Sequence, residues 1–165
     1  MTISPELFMA ILSMDSYNRG YDAGISGLSE SGGLGNATIT TTLSDVSETF
    51  EADAAAAGFY AVAYQWNGET VISYRGTDNL IDWTNLNPWS DTPGGDLWNS
   101  YLTGLGFTAN NQAHLAADFY QAVTGTATSD PRLADVTVTG HSLGGGLAGF
   151  VAAMTDASGA IAAAD

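Results

Sequence analysis

Ser142 stands in Gly140-His141-Ser142-Leu143-Gly144, a G-x-S-x-G pattern. A serine so placed can attack a carbonyl carbon if the chain turns sharply enough to hold its hydroxyl clear of its neighbours. The bare pattern is short and arises by chance, so its context decides its weight. The β-branched run Val136-Thr137-Val138-Thr139 precedes it, and a Gly- and Ala-rich stretch of helical character, Leu143 to Thr155, follows at once. Strand, tight turn and helix in succession would put Ser142 in a strained backbone conformation, with Gly140 and Gly144 removing side-chain clashes on both sides. The hydroxyl would then lie at a helix N-terminus, where the Leu143 amide and the helix dipole can stabilise an oxyanion. Gly145 and Gly146 are expected to let that helix sit close against the strands. The bland alternative makes Ser142 only a turn residue.

The composition limits what else is possible. Among 165 residues there are 18 acidic side chains and three basic ones, Arg19, Arg75 and Arg132, for a formal charge of −15. There is no lysine. Such a surface repels phosphate backbones and anionic headgroups, which excludes nucleic-acid and polybasic membrane roles. The absence of cysteine removes disulfides, thiolate metal sites and a Cys nucleophile together. The acids Asp78, Asp82, Asp91 and Asp96 lack the spacing of a calcium loop, so a solvated surface is the simpler reading. No apolar run reaches the roughly 20 residues of a membrane span. The N-terminus carries no basic stretch of a signal peptide.

The elements that must position Ser142 can be read from the same pattern. Ser4-Pro5-Glu6 starts a helix with a hydroxyl cap, a proline at the first position and an acid in the first turn. Leu7, Phe8, Ile11, Leu12 and Met14 follow at near-helical spacing, and the helix should fade by Asn18-Arg19-Gly20. Residues 20–37, rich in Gly and Ser, read as a loop. Thr38 to Leu43 reads as a short strand, and Glu48 to Ala57 as a surface helix or an irregular run. Phe59 to Trp66 and Thr70 to Arg75 are β-rich, and Asn67-Gly68 between them signals a hairpin. Ala109 to Val123 is predicted helical, with Ala113, Ala116, Phe119, Tyr120 and Val123 on one side. Ile161 to Ala164 begins another strand. The alternation of strand and helix argues for an α/β domain spanning 1–165.

A second motif lies where the hairpin closes, Tyr74-Arg75-Gly76-Thr77, and Asp82-Trp83 follows it. Together with Gly140-His141-Ser142-Leu143-Gly144-Gly145 this resembles the class 3, or fungal-type, lipase family of the α/β-hydrolase superfamily, over roughly residues 59 to 155. Two separate motifs in the right order are far more specific than either alone. The resemblance implies a three-layer fold on a mostly parallel sheet. It implies Ser142 as nucleophile, with the amides of Thr77 and Leu143 forming the oxyanion hole. It implies a lid over residues 82–98, with Trp83, Leu86 and Trp89 on its apolar, substrate-facing side. Thr77 is as readily a strand-end cap, and each tryptophan taken singly is as readily a core residue. Arg75 is expected to be a structural ion-pair partner, and His141 to pack or hydrogen-bond beside the nucleophile. The implied substrate is a lipid or small carboxylic ester, and no cofactor and no metal are called for. The acidic composition fits a secreted or salt-tolerant enzyme.

Two matters stay open at this level. Gly144-x-Gly146-x-x-Gly149 also fits a dinucleotide fingerprint, with Asp165 about 20 residues on. A short-chain dehydrogenase, however, places that fingerprint at the start of the chain and requires a catalytic Tyr-x-x-x-Lys, and this chain has no lysine. The second matter is the missing base. In α/β-hydrolases the order is Ser, then Asp or Glu, then His. Here both histidines, His114 and His141, precede Ser142, and only Asp156 and Asp165 follow it as acids. Asp156 closes the elbow helix at the end far from Ser142. The sequence therefore reads as the N-terminal portion of a longer fold. The acid and the histidine would come from a further C-terminal segment or a second chain. A lipase-fold binding or scaffold domain without catalysis is the alternative.

Overall fold

The structure, a computed structural model, describes residues 3–20, 33–76, 109–125, 136–157 and 162–164. Helix α1 (Pro5–Asp15) starts as its sequence predicts: the Ser4 hydroxyl accepts the Leu7 N–H at 3.3 Å, and Pro5 occupies the first turn. Phe8, Met9 and Leu12 turn inward, while Leu7 and Met14 remain exposed. A single 3-10 turn (Ser16–Asn18) ends the element where fading was expected.

Six strands form one sheet in sequential order: β1 (Gly33–Leu34), β2 (Ala37–Thr41), β3 (Ala61–Trp66), β4 (Glu69–Tyr74), β5 (Val136–Gly140) and β6 (Ala162–Ala164). Pairing is antiparallel from β1 to β4 and parallel from β4 to β6. The α/β class stands, but the expected mostly parallel sheet is a mixed one. For two of the three antiparallel pairs the reason is loop length. Leu34 and Ala37 are joined through two residues, as are Trp66 and Glu69, and a two-residue loop can only fold a strand back antiparallel. The Gly-rich segment read as loop also ends in this first small hairpin, with Gly35 at φ 61° in its turn. Two helices between β2 and β3, α2 (Leu43–Val46) and α3 (Glu48–Ala56), are capped by Thr42 and Ser47. Helix α4 (Ala109–Thr124) precedes β5, and α5 (Leu143–Ala157) connects β5 to β6.

The sheet is covered on both faces. In the register Val62↔Ser73↔Thr139, the Ser73 hydroxyl donates to the Leu12 carbonyl at 3.2 Å and Thr139 to that of Met9 at 3.4 Å, so α1 lies on this face. Tyr74, one residue on, points the other way, and its hydroxyl donates to Ala116 of α4 at 3.1 Å. Strands covered on both faces lose the apolar–polar alternation. Accordingly Ala61 to Tyr64 and Val71 to Tyr74 are buried without a break. Each wholly buried aliphatic side chain such as Leu12, Ile72 or Val138 contributes about 2 kcal/mol to folding. No described helix is long and apolar enough to cross a membrane.

Candidate active site

Strand β5 ends at Gly140 and α5 begins at Leu143, so only His141 and Ser142 make the turn. Ser142 takes φ 59°. A serine in this left-handed region is uncommon, at a cost on the order of 1–3 kcal/mol that the surroundings must over-determine. They do so with three backbone bonds. Gly144 N–H donates to His141 O at 3.0 Å, and the amides of Gly145 and Gly146 donate to Ser142 O at 3.1 and 3.4 Å. The side chain of Ser142 is exposed. As the first helical residue, Leu143 carries an amide with no acceptor inside its own helix.

Close approach, more than the turn itself, explains the glycines. A Cβ on Gly144 would run into the Tyr74 carbonyl, and one on Gly140 would run into the backbone of Gly144. These two residues hold α5 tightly against β4 and β5. Of the two glycines expected to share that task, Gly145 does approach β5, 3.1 Å from the Gly140 carbonyl, whereas Gly146 faces open space. Helix geometry is the reason, since only the positions facing the strands are short of room.

The parallel register pairs Tyr74 with Gly140, so β4 and β5 release the chain side by side. As a result Gly76 lies against the His141-Ser142 turn. A Cβ built on it would be 3.2 Å from Ser142 Cβ and 2.8 Å from the His141 carbonyl. The Tyr74-Arg75-Gly76 part of one motif thus meets the other motif at the turn. Thr77, the lid segment with Trp83, Leu86 and Trp89, and the acids Asp78, Asp82, Asp91 and Asp96 lie outside the described residues.

The structure adds Tyr17, which no local pattern singled out. Its hydroxyl accepts the Gly76 N–H at 3.1 Å and shares a hydrogen bond with His141 Nδ1 at 3.2 Å. The two rings meet edge to face, with centroids 5.8 Å apart. His141 therefore has the hydrogen-bonding role expected of it. The two residues Asp15 and Arg19 bracket Tyr17 and form a buried ion pair at 2.8 Å. Tyr64 donates to the same Asp15 carboxylate at 2.8 Å. That contact and burial push the Tyr64 hydroxyl well above the ordinary tyrosine range, burial being the larger cause. Arg75 is buried, donates to the Arg19 carbonyl at 3.1 Å and lies 4.9 Å from the Tyr60 ring centroid. A backbone carbonyl and an aromatic face are thus among its partners, in a buried position.

Among the described residues no histidine or carboxylate hydrogen-bonds the Ser142 hydroxyl. His114 is exposed on α4 and His141 is engaged with Tyr17. The geometry supplies a strained, exposed serine at a helix N-terminus, with a second strand end against it. That is an arrangement for acyl transfer once a base is brought to it.

Comparison with protein families matches residues 71–162, more than half of the chain, to lipase (class 3). No curated protein and no solved structure gives a significant match.

Proposed function

Because the chain belongs to the class 3 lipase family, we propose that it is a hydrolase of carboxylic esters in which Ser142 is the nucleophile. The observation that carries this reading is the backbone of Ser142. The residue holds φ 59°, stands exposed at the start of α5, and is clamped there by Gly144 against β4. A fold stores strain of this kind where the hydroxyl has to be presented.

In the proposed reaction Ser142 Oγ adds to the ester carbonyl carbon, and its proton passes to a histidine supplied by a further segment or a second chain. The carbonyl oxygen becomes an oxyanion held by the amides of Leu143 and Thr77. The C–O bond to the alcohol then breaks, the alcohol takes the proton, and an acyl-serine remains. Water, deprotonated by the same histidine, releases the acid and restores the hydroxyl. The preferred substrate is an uncharged acyl ester of the acylglycerol kind. With a charge of −15, the surface disfavours anionic headgroups and leaves a neutral ester unopposed. The lysine-free, acid-rich composition fits an enzyme working outside the cell or at high salt.

Labelling with a fluorophosphonate ester tests the reading. Covalent modification should map to Ser142 and vanish in Ser142→Ala, together with hydrolysis of p-nitrophenyl butyrate. If Ser142 stays unlabelled when the chain is expressed with all of its coding sequence, the lipase-fold binding domain is the correct reading.

A further inference from the structure

We propose that Tyr17 is a positioning residue for acyl transfer at Ser142, joining the two strand ends that must supply the oxyanion amides. The inference rests on the hydrolase reading above. It places part of the site on the segment of α1 and the 3-10 turn, outside the matched residues 71–162.

A phenol has one proton to donate and lone pairs to accept with. Tyr17 accepts from Gly76 N–H at 3.1 Å. The same hydroxyl shares a hydrogen bond with the His141 ring Nδ1 at 3.2 Å, and the His141 carbonyl lies farther off, at 3.5 Å. One hydroxyl thereby links the residue before Thr77 with the residue before Ser142. One partner is the Gly76 backbone amide and the other is the side chain next to Ser142, so the link ties the two chain segments together. It also occupies the Gly76 amide, which is thus committed to Tyr17 and not aimed at a substrate oxygen. Reacting groups must be held to within about 0.5 Å of the productive geometry, and a brace between two loops serves that need.

The brace is itself anchored. Asp15 takes Arg19 through both carboxylate oxygens, with contacts of 2.8 to 3.1 Å, across the turn that carries Tyr17. Tyr64 of β3 donates to Asp15, and Arg75 of the β4 exit donates to the Arg19 carbonyl. Ser16 Oγ donates to the Ser13 carbonyl at 2.7 Å. A buried ion pair adds little net stability, but it does impose one arrangement on what surrounds it. Here it sets where the Tyr17 ring leaves the turn.

Tyr17→Phe keeps the ring and removes the hydroxyl. Three readouts are taken on the full chain: p-nitrophenyl butyrate kinetics, the rate of fluorophosphonate labelling, and the NMR signal of the Gly76 amide. The Gly76 amide should shift and lose exchange protection. Labelling and kcat should fall about tenfold, the worth of one well-placed hydrogen bond, with KM changed less than twofold. A purely structural tyrosine would lower Tm without that split between kcat and KM. His141→Ala combined with Tyr17→Phe should be little slower than Tyr17→Phe alone, because the two residues act as one unit. An unmoved Gly76 amide, an unchanged labelling rate, or fully additive effects would each overturn the proposal. A wild-type chain that never labels, while Tyr17→Phe still shifts the Gly76 amide, overturns the hydrolase reading and this inference with it, and that pattern differs from the other three. Should Tyr17→Phe not fold, His141→Ala still decides, since it must slow labelling for the bridge to matter.

Discussion

Two residues other than glycine hold positive φ among the described residues, Asn67 at 51° and Ser142 at 59°. The backbone is nearly the same, and the circumstances are opposite. Asn67 belongs to the two-residue turn of the β3–β4 hairpin, a conformation asparagine tolerates, and Gly68 after it looks onto open space. Ser142 gains no such ease from its residue type. It is forced into place because α5 is pressed on β4 at Gly144 and because Gly76 and Tyr17 close the other side. A turn whose sequence suits its conformation needs little from the rest of the molecule. A turn held against the preference of its residue needs contacts from other elements.

The contrast can be broken or sharpened by substitution. Asp15→Asn should have the largest effect, about 3–5 kcal/mol in denaturant unfolding, because it leaves Arg19 buried beside a neutral partner. That loss would confirm how far the serine side leans on distant groups. The hairpin turn has no counterpart to it. Gly144→Ala should cost about 3 kcal/mol through collision with the Tyr74 backbone, whereas Gly68→Ala should cost about 1 kcal/mol, for the left-handed φ alone. Equal costs at the two positions would mean that the two turns are held alike.

Alkaline pH should weaken the serine end next. Burial pushes the Tyr60 hydroxyl up to about 12, with the neighbouring Arg75 and Arg19 charges opposing. The folded state therefore favours the neutral phenol. Its contribution is complete below about pH 10, where the unfolded chain also keeps its proton, and is lost as pH rises from about 10 to 12. The urea midpoint should be steady up to pH 9 and then fall, by about 2 kcal/mol at pH 12 from Tyr60 alone. Tyr64 and Tyr74, also raised by burial, act in the same direction. The smallest effects come from relieving φ. Ser142→Gly should gain about 1 kcal/mol while abolishing labelling, and Asn67→Gly should change stability by less than about 0.5 kcal/mol. A Ser142→Gly variant with no gain in Tm would mean that the strain is not there.

Much of the site was legible because its causes are local. The β-branched run before Gly140 and the helical run after Leu143 placed Ser142 on a strand–turn–helix, and Asn67-Gly68 placed the hairpin. The Ser4-Pro5 start of α1 was equally plain. Other features were not legible. Gly144 and Gly146 look alike in sequence, and only the packing of α5 on β4 tells which one must lack a side chain. Tyr17 carries no mark of its own, because its partners Gly76 and His141 lie 59 and 124 residues along the chain.

What the amino-acid sequence determined by itself was the set of short-range facts. These are a serine between two glycines, a strand before it, a helix after it, and a charge that turns away anions. Each follows from backbone preference, hydrophobic period or net charge, which act within a few residues or over the whole chain. Tertiary structure alone decided which strand end faces Ser142, that Asp15 and Arg19 are buried together, and that a tyrosine from the 3-10 turn after α1 bonds both Gly76 and His141. Those are contacts between segments far apart in the chain. They depend on register and layer order, which no local pattern specifies.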